Sequence, residues 1–328
     1  MLRRGGLVLL APGQEIDIVK RLFETKRDWQ KAPLSEAAIS MLLNPMPKYT
    51  MFGFDSDDYS SAKVVVLPVP YDHATTYKAG SRDGPHAIIE ASRSIEPYSY
   101  ELGRKLEDKS VYTLDELQPD LDSLEKMQDR VSGEVAMIID DGKIPLMLGG
   151  DHSLTIGAIK AFKKRGRDIS IIHLDAHADS WEELFGSKYT HGSVITRAGE
   201  MYENIVQVGI RCIDEESAKK HRDRILFAED FGKMGAEKAA EWIIKNTGKD
   251  VYITIDIDVL DPSEMPSVGT PEPAGLFFRD LVSIMKSLSK EKNLAGMDIM
   301  ELAPIPGIVA PNFLAAKLAY LSLGFFLK

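Results

Sequence analysis

Cysteine is almost absent from this chain, because Cys212 is the single one among 328 residues. An internal disulfide is excluded, so a reducing, cytoplasmic compartment is predicted. Long apolar runs are also missing: the C-terminal stretch 314–327 is interrupted by Lys317 and Ser322 and falls short of the roughly 18 residues of a membrane span. That stretch predicts a buried helix. The short apolar run 7–10, which Pro12 ends, does not resemble a secretory signal.

Blocks of basic residues are lacking as well. Acidic residues outnumber Lys and Arg by 50 to 40, which gives a formal net charge of −10. A nucleic-acid surface would carry a basic footprint, so nucleic acid is not a predicted partner. A membrane is not predicted either, whereas a small cationic substrate would be attracted. The hydrophobic share of 44% predicts a soluble chain able to bury a large core.

The order of apolar segments predicts the fold. After a stretch rich in Pro, Gly, Ser and Asp at 46–62, β-branched runs alternate with segments of helical periodicity. Strands are predicted at 64–69, 144–148, 169–174, 205–210, 224–227, 251–257 and 294–299, and helices at 121–140, 153–165, 236–246 and 276–290. This alternation predicts a three-layer α/β/α fold with a central, mainly parallel sheet. Residues 1–60 are predicted to form an N-terminal extension, and residues 61–328 the main domain.

Acidic and histidine residues follow three of the predicted strands. They are His152 after strand 144–148, Asp175, His177 and Asp179 after strand 169–174, and Asp256 with Asp258 at the end of strand 251–257. Alternate residues of a strand point to one face. Ligands of open parallel sheets bind at the carboxyl ends of the strands. The three strand ends therefore predict one shared metal site.

The composition of this ligand set indicates its chemistry. Four carboxylates would neutralise two divalent cations, which favours a site for two ions. Oxygen-rich ligands suit Mn²⁺ better than Zn²⁺, although the affinity order alone favours zinc. Two such ions can share a water molecule, lower its pKa and hold a bridging hydroxide for attack. The sequence therefore predicts a hydrolase with two Mn²⁺ ions per chain.

The same motifs resemble those of the arginase/agmatinase, or ureohydrolase, family over about residues 60–328. The matching segments are Gly149-Gly150-Asp151-His152-Ser153, Asp175-Ala176-His177-Ala178-Asp179 and Asp256-Ile257-Asp258, with further matches at His191-Gly192, Gly209-Ile210-Arg211 and Asp298-Ile299-Met300-Glu301. The resemblance implies an arginase-like fold, a ureohydrolase catalytic domain and a homo-oligomer built as a trimer or hexamer.

The resemblance also implies a role for each site residue. His152, Asp175, Asp179 and Asp256 would hold one manganese ion, and Asp175, His177, Asp256 and Asp258 the other, so that Asp175 and Asp256 bridge the ions. Glu301 would bind the substrate guanidinium through charge-assisted hydrogen bonds. His191 would pass a proton to the leaving amine, because an imidazole both gives and takes protons near neutral pH.

Agmatine is the predicted substrate, with putrescine and urea as products. Cys212 stands where arginases carry an Asp that helps to bind the α-amino group, and segment 179–191 looks like that of agmatinases. The acids available for the far ammonium are Glu182, Glu183 and Asp214. The segments 194–195 and 303–306 depart from the common family pattern, which leaves the exact guanidine compound open.

Several alternatives stand beside this prediction. A guanidinobutyrase, formiminoglutamase or arginase would act on a substrate with a carboxylate, for which Arg197 and Lys188 are the nearest positive groups in sequence. A metal-binding relative without activity is the non-enzymatic alternative. His191 could be an ordinary loop histidine, and Glu301 could cap a helix or pair with an Arg. His173 is assigned to the opposite face of its strand and to a structural role.

Overall fold

The computed structural model describes residues 2–4, 7–9, 49–54, 58–73, 75–107 and 110–327. The chain divides into two units, Met1–Pro47 and Lys48–Lys328. In the first unit, strands β1 (Leu2–Arg4) and β2 (Leu7–Leu9) pair in antiparallel fashion. Most of the predicted extension, residues 1–60, lies outside the described residues, so its role and boundary stay predictions.

The second unit contains the sheet and the helices that cover it. Its strands are β3 (Val64–Val69), β4 (Tyr98–Ser99), β5 (Arg104–Lys105), β6 (Val111–Thr113), β7 (Ile144–Gly149), β8 (Ser170–Leu174), β9 (Ile205–Ile210), β10 (Ile225–Phe227), β11 (Asp250–Asp256) and β12 (Asn293–Met300). Its helices are α1 (Gly84–Ser92), α2 (Leu124–Asp140), α3 (Leu154–Lys164), α4 (Val194–Gly199), α5 (Glu215–Lys220), α6 (Ala228–Met234), α7 (Ala236–Lys245), α8 (Phe278–Glu291) and α9 (Ala310–Phe326).

Eight strands form one sheet in the order β10-β9-β8-β11-β12-β7-β3-β6. All of its neighbouring strands pair in parallel. The carboxyl ends therefore lie along a single edge, where ligands of such sheets bind. Strands β4 and β5 form a separate antiparallel pair.

Both faces of this sheet are buried. Along β3, Val64 and Val66 belong to a core that also contains residues of α1, α7, α8 and α9. Val65 and Leu67, which point the other way, belong to a second core with residues of α2 and α3. Strands covered on both faces read as continuous apolar runs. The predicted three-layer α/β architecture is confirmed.

The strand and helix predictions agree with the structure to within a few residues. One difference lies at Ile257, which was expected to end a strand. The structure ends β11 at Asp256, because the Asp258 amide donates to Asp256 Oδ1 at 3.0 Å and starts a short 3-10 turn, Ile257–Val259. The apolar C-terminal stretch forms most of α9, which is largely buried as predicted. Among the described residues, the structure has no helix with the length and apolar character needed to cross a membrane.

Candidate metal centre

Four adjacent strands end at the candidate site. In the sheet order β8-β11-β12-β7, the residues at or just past these strand ends are Asp175, Asp256, Glu301 and His152. Parallel pairing of neighbours is the reason that residues far apart in sequence meet here. The shared edge was predicted for three of these strands from the spacing of Asp and His alone.

The position of His152 depends on a close approach between segment 150–151 and segment 69–71. The amide of Asp151 donates to the carbonyl of Tyr71 at 2.8 Å, and the amide of Gly150 donates to the carbonyl of Val69 at 3.0 Å. A side chain on Gly150 would collide with the backbone of Tyr71. The glycine is therefore required for this backbone approach.

One group of ligand atoms surrounds His152. Its Nδ1 atom lies 3.0 Å from Asp175 Oδ2, 3.2 Å from Asp256 Oδ2 and 3.3 Å from Asp179 Oδ2. Its other nitrogen, Nε2, lies 2.8 Å from Thr254 Oγ1, which fixes the ring. The four predicted ligands of the first ion thus meet around one imidazole nitrogen, and all four are buried.

A second group lies next to the first. His177 Nδ1 is 3.0 Å from Asp258 Oδ2 and 3.5 Å from Asp175 Oδ1. Asp175 therefore presents Oδ2 to the first group and Oδ1 to the second. Asp256 contacts His152 and binds the amide of Asp258. The structure brings all six predicted ligands together, with Asp175 between the two groups.

The electrostatics of the carboxylates indicate a need for cations. Burial raises the pKa of Asp256 well above its usual value, and the charges of Asp258 and Asp175 raise it further. Burial and Asp175 also raise the pKa of Asp179. Four carboxylates at this spacing repel one another, so the buried cluster requires positive charge.

Protons and histidines supply part of that charge. Burial opposes protonation of His152, but contacts with Asp175, Asp179 and Asp256 outweigh it and hold the pKa of His152 well above its usual value. Even so, His152 Nδ1 and Asp175 Oδ2 have no aligned hydrogen-bond partner. Buried polar atoms without a partner are costly, and a metal ion that displaces the proton would satisfy them. The residues present therefore fit divalent cations.

Backbone strain coincides with the site. Asp179 has φ of 48° and Glu301 has φ of 64°, a region that non-glycine residues rarely adopt. The amide of Glu301 donates to the carbonyl of Gly150 at 2.9 Å, and its Oε1 accepts from the amide of His152 at 2.8 Å. Strained conformations of this kind persist where the surroundings hold them, and they cluster at functional sites.

The two predicted catalytic residues lie close to each other. His191 Nδ1 is 3.7 Å from Glu301 Oε1, and His191 Nε2 is 3.0 Å from Thr76 Oγ1. Burial, together with the charge of Asp151, raises the pKa of Glu301 well above its usual value. A cation beside Glu301 would reverse that effect. Among the described residues Glu301 has no Arg partner, and its carboxylate accepts the amide of His152, two residues before α3 begins at Leu154.

A cavity of about 360 Å³ opens above the cluster. Its lining includes His177, Asp179, Asp256, His191, Cys212 and Asp214. The exposed loop residue Trp181 also lines it, and the Trp181 amide donates to the Gly192 carbonyl at 3.0 Å. The mouth therefore joins segment 179–191 to the loop after β9, the two segments that the sequence linked to substrate choice.

The charged residues near the mouth of the cavity differ in their ion-pair and hydrogen-bond partners. Arg197 Nη2 donates to Glu182 Oε2 at 2.9 Å, and Arg197 Nη1 lies 2.6 Å from Glu200 Oε1. Asp214 accepts the amide of Ser217 at 2.9 Å at the start of α5 and lines the cavity. Arg197 is thus already paired with two acids, whereas Asp214 faces the cavity.

His173 corrects one sequence-based assignment. It was expected on the opposite face of its strand, but residues 173 and 175 are two positions apart and therefore share a face. His173 is fully buried, and its Nε2 atom lies 2.8 Å from Asp175 Oδ2. Counting back two residues from Asp175 reaches His173, so the alternation of strand residues could have predicted this contact.

Arg211 is another residue whose role the sequence did not reveal. Its guanidinium donates to the carbonyls of Glu272 at 2.7 Å, Asp258 at 2.8 Å and Pro273 at 3.0 Å. Burial lowers its pKa, yet the surrounding carbonyl oxygens satisfy its donors. Arg211, in the Gly-Ile-Arg segment, therefore holds the loop that carries Asp258 in place.

Comparison with known proteins places the fold and the site in a family. A model described as the arginase family matches residues 62–324. An N(1)-aminopropylagmatine ureohydrolase of Thermus thermophilus is 38% identical over 275 residues, covering 84% of this chain and 94% of the relative. An agmatinase of Bacillus anthracis is 33% identical over 250 residues, covering 75% of this chain and 86% of the relative.

A solved structure agrees with both relatives. The crystal structure of an agmatine ureohydrolase of Thermoplasma volcanium is similar with a TM-score of 0.78 and 31% identity, covering 88% of this chain and 97% of that one. The family model spans the whole parallel sheet, with all four strand ends that meet at the cluster. The chain belongs to the arginase family.

Proposed function

We propose that this protein is a ureohydrolase with two Mn²⁺ ions. Its substrate is a cationic guanidine compound, agmatine, which it hydrolyses at the guanidinium group to putrescine and urea. The observation that carries the proposal is the shared carboxylate Asp175. One of its oxygens faces the group around His152, and the other faces the group around His177. That arrangement suits two cations held side by side.

The metal ions fit the ligand atoms by type. The set contains four carboxylates and two imidazoles, which favours manganese over zinc; its members are His152, Asp175, His177, Asp179, Asp256 and Asp258. When bound, the ions supply a water molecule of lowered pKa as the nucleophile.

Glu301 binds the substrate guanidinium, and His191 acts on the nitrogen that leaves it. Glu301 is buried beside the cluster, and a carboxylate there orients a planar guanidinium through paired hydrogen bonds. His191 lines the cavity 3.7 Å from that carboxylate. An imidazole at this position would pass a proton to the nitrogen that leaves the same carbon. Water exclusion by the buried site strengthens both interactions.

The mouth of the cavity favours a substrate that ends in an amine. Asp214 lines the cavity, so a far ammonium group meets a negative charge there. Arg197, the first group considered for binding a substrate carboxylate, is paired with Glu182 and Glu200. The other, Lys188, is not among the described residues that line the cavity. These charges support agmatine over guanidinobutyrate or arginine.

N(1)-aminopropylagmatine is the second candidate substrate, and two observations favour it. The Thermus relative carries that name and has a higher identity to this chain than the Bacillus agmatinase does. A groove of about 810 Å³ also adjoins the cavity at Ser180, Trp181 and Asp214, and in its lining acids, Glu183, Glu203 and Glu216 among them, outnumber the bases Lys220 and Arg224. The longer chain of N(1)-aminopropylagmatine would place its one additional ammonium group there.

Urea release separates these substrates. The Mn²⁺-loaded protein is incubated with agmatine, N(1)-aminopropylagmatine, arginine and 4-guanidinobutyrate, with a chelated sample as control. We expect metal-dependent urea release with a higher kcat/KM for the two cationic substrates than for the two that carry a carboxylate. A preference for arginine or guanidinobutyrate would contradict the assignment of the mouth, and no urea from any of the four would contradict the function.

Three further points stay predictions from the resemblance or composition. They are assembly as a trimer or hexamer, a cytoplasmic location, and an N-terminal extension over residues 1–60 outside the catalytic domain. Light scattering of the purified protein tests the first, and a monomer would contradict it.

A further inference from the structure

A buried histidine outside the six proposed ligands lies against the shared carboxylate. His173, on β8, has its Nε2 atom 2.8 Å from Asp175 Oδ2 and 4.0 Å from Asp179 Oδ2. Its ring stacks on that of His152, with centroids 5.1 Å apart and planes inclined by 28°. Together with His152, Asp175 and Asp179 it forms a group whose atoms are close enough to hold an ion. His173 is therefore either a further ligand or a residue that acts on Asp175.

The neighbouring strand decides between these two roles. Gln207 on β9 is the register partner of His173. Its Nε2 atom lies 2.9 Å from the carbonyl oxygen of Ala178 and 3.0 Å from His173 Nδ1. A carbonyl oxygen only accepts hydrogen bonds, so it fixes the orientation of the Gln207 amide, with nitrogen towards Ala178. The second N–H of the same nitrogen then donates to His173 Nδ1.

This contact sets the tautomer of His173. A ring nitrogen that accepts a hydrogen bond carries no hydrogen, so Nδ1 is the bare nitrogen and Nε2 carries the hydrogen. A nitrogen with a hydrogen has no free lone pair for a metal ion. His173 thus faces Asp175 Oδ2 as a donor, at a contact that lacks full hydrogen-bond alignment in this structure.

We propose that His173, held in this tautomer by Gln207, is a positioning residue for the shared carboxylate Asp175 and not a seventh metal ligand. The inference rests on the proposed metal centre. His173 restrains Asp175 Oδ2 from one side while the ions bind the carboxylate. Because Asp175 contacts both groups of ligands, loss of the restraint lowers the affinity for both ions together. Hydrogen-bond partners of ligating groups typically contribute about 10–100-fold to metal affinity.

Three variants test the chain of contacts. His173→Leu keeps the bulk of the side chain but removes the donor. His173→Gln restores an N–H at about the reach of Nε2, and Gln207→Leu removes the group that sets the tautomer. His221→Leu is the matched control, because His221 lies at the end of α5, far in sequence from the cluster and only partly buried. Each metal-free protein is titrated with Mn²⁺ by calorimetry, and the electron paramagnetic resonance spectrum of the loaded protein reports coupling between the ions.

We expect two sites in every variant, with both affinities about 10–100-fold weaker in His173→Leu. We expect a weaker coupling signal in His173→Leu, partial loss in Gln207→Leu and recovery of most of the affinity in His173→Gln. Two outcomes overturn the inference: unchanged affinities in both His173→Leu and Gln207→Leu, or loss of one ion from His173→Leu with the other unaffected, since the latter is the behaviour of a direct ligand. A wild-type protein that binds no Mn²⁺ would overturn the proposed metal centre itself. If His173→Leu does not fold, Gln207→Leu and His173→Gln decide the question.

Discussion

The site has an inner end, the cluster of six proposed ligands, and a mouth, the cavity opening beside Trp181 and Asp214. These two regions are built in different ways. At the inner end, every proposed ligand stands at or within a few residues of a strand end, and contacts between ligand atoms are 3.0–3.5 Å. At the mouth, Trp181 is 55% exposed on a loop. A buried, strand-anchored centre suits chemistry that tolerates little displacement, whereas an exposed loop suits adjustment to different substrates. Under the proposed function, reaction type and substrate choice therefore depend on separate parts of the chain.

The largest expected effect is that of Asp175→Ala at the inner end. The change removes the carboxylate that faces both histidines, so we expect at least one metal ion per chain to be lost. Metal catalysis contributes several kcal/mol, and its loss would slow urea release by at least about 1000-fold. Elemental analysis and a urea assay measure the two effects.

Asp223→Ala is the control for this variant, because the Asp223 side chain is 82% exposed. It should keep both metal and activity. Retention of two ions by Asp175→Ala would show that this carboxylate does not bridge, and the account of the inner end would be wrong.

Glu301→Gln tests the region between the two ends. The variant keeps a side chain of the same size that still accepts from the amide of His152, so we expect unchanged metal content. Loss of a charged acceptor for the guanidinium costs about 1.5–3 kcal/mol, or about 10–150-fold in kcat/KM. Steady-state kinetics and metal analysis on one preparation measure both quantities. A loss of metal without a specific loss of kcat/KM would place Glu301 among the groups that hold the ions.

Asp214→Asn tests the mouth and has the smallest expected effect. Exposed ion pairs contribute about 0.2–1 kcal/mol, so we expect KM for a cationic substrate to rise by no more than about fivefold with kcat unchanged. The amide still accepts the Ser217 amide hydrogen that Asp214 accepts now. KM measured at low and high salt separates charge from packing. A fall in kcat would mean that the mouth and the inner end are not independent.

The same contrast explains what the sequence could predict. The inner end follows fixed rules: alternation up to the end of β8 places Asp175, and parallel pairing brings the strand ends together. His177 and Asp179 lie beyond that strand, and Asp179 has a φ of 48°. Counting by two also places His173 beside Asp175, and the opposite assignment was an error in applying the rule. The sheet and the family were therefore predictable from short segments, and both are confirmed.

The mouth follows no such rule. The pairing of Arg197 with Glu182 joins a helix to a loop, and no periodicity in the sequence predicts it. Arg211 matched a family segment, but its bonds to the carbonyls of residues 258, 272 and 273 depend on how two loops fold together. Non-local contacts between loops are the part of a site that a single sequence specifies least directly.

Anomalous diffraction at the manganese edge from crystals grown with Mn²⁺ would locate the metal ions themselves. We expect two peaks per chain about 3.5–4 Å apart, one beside His152 and the other beside His177, with Asp175 between them. A single peak, or peaks away from these two histidines, would contradict a shared centre at the ends of the four strands.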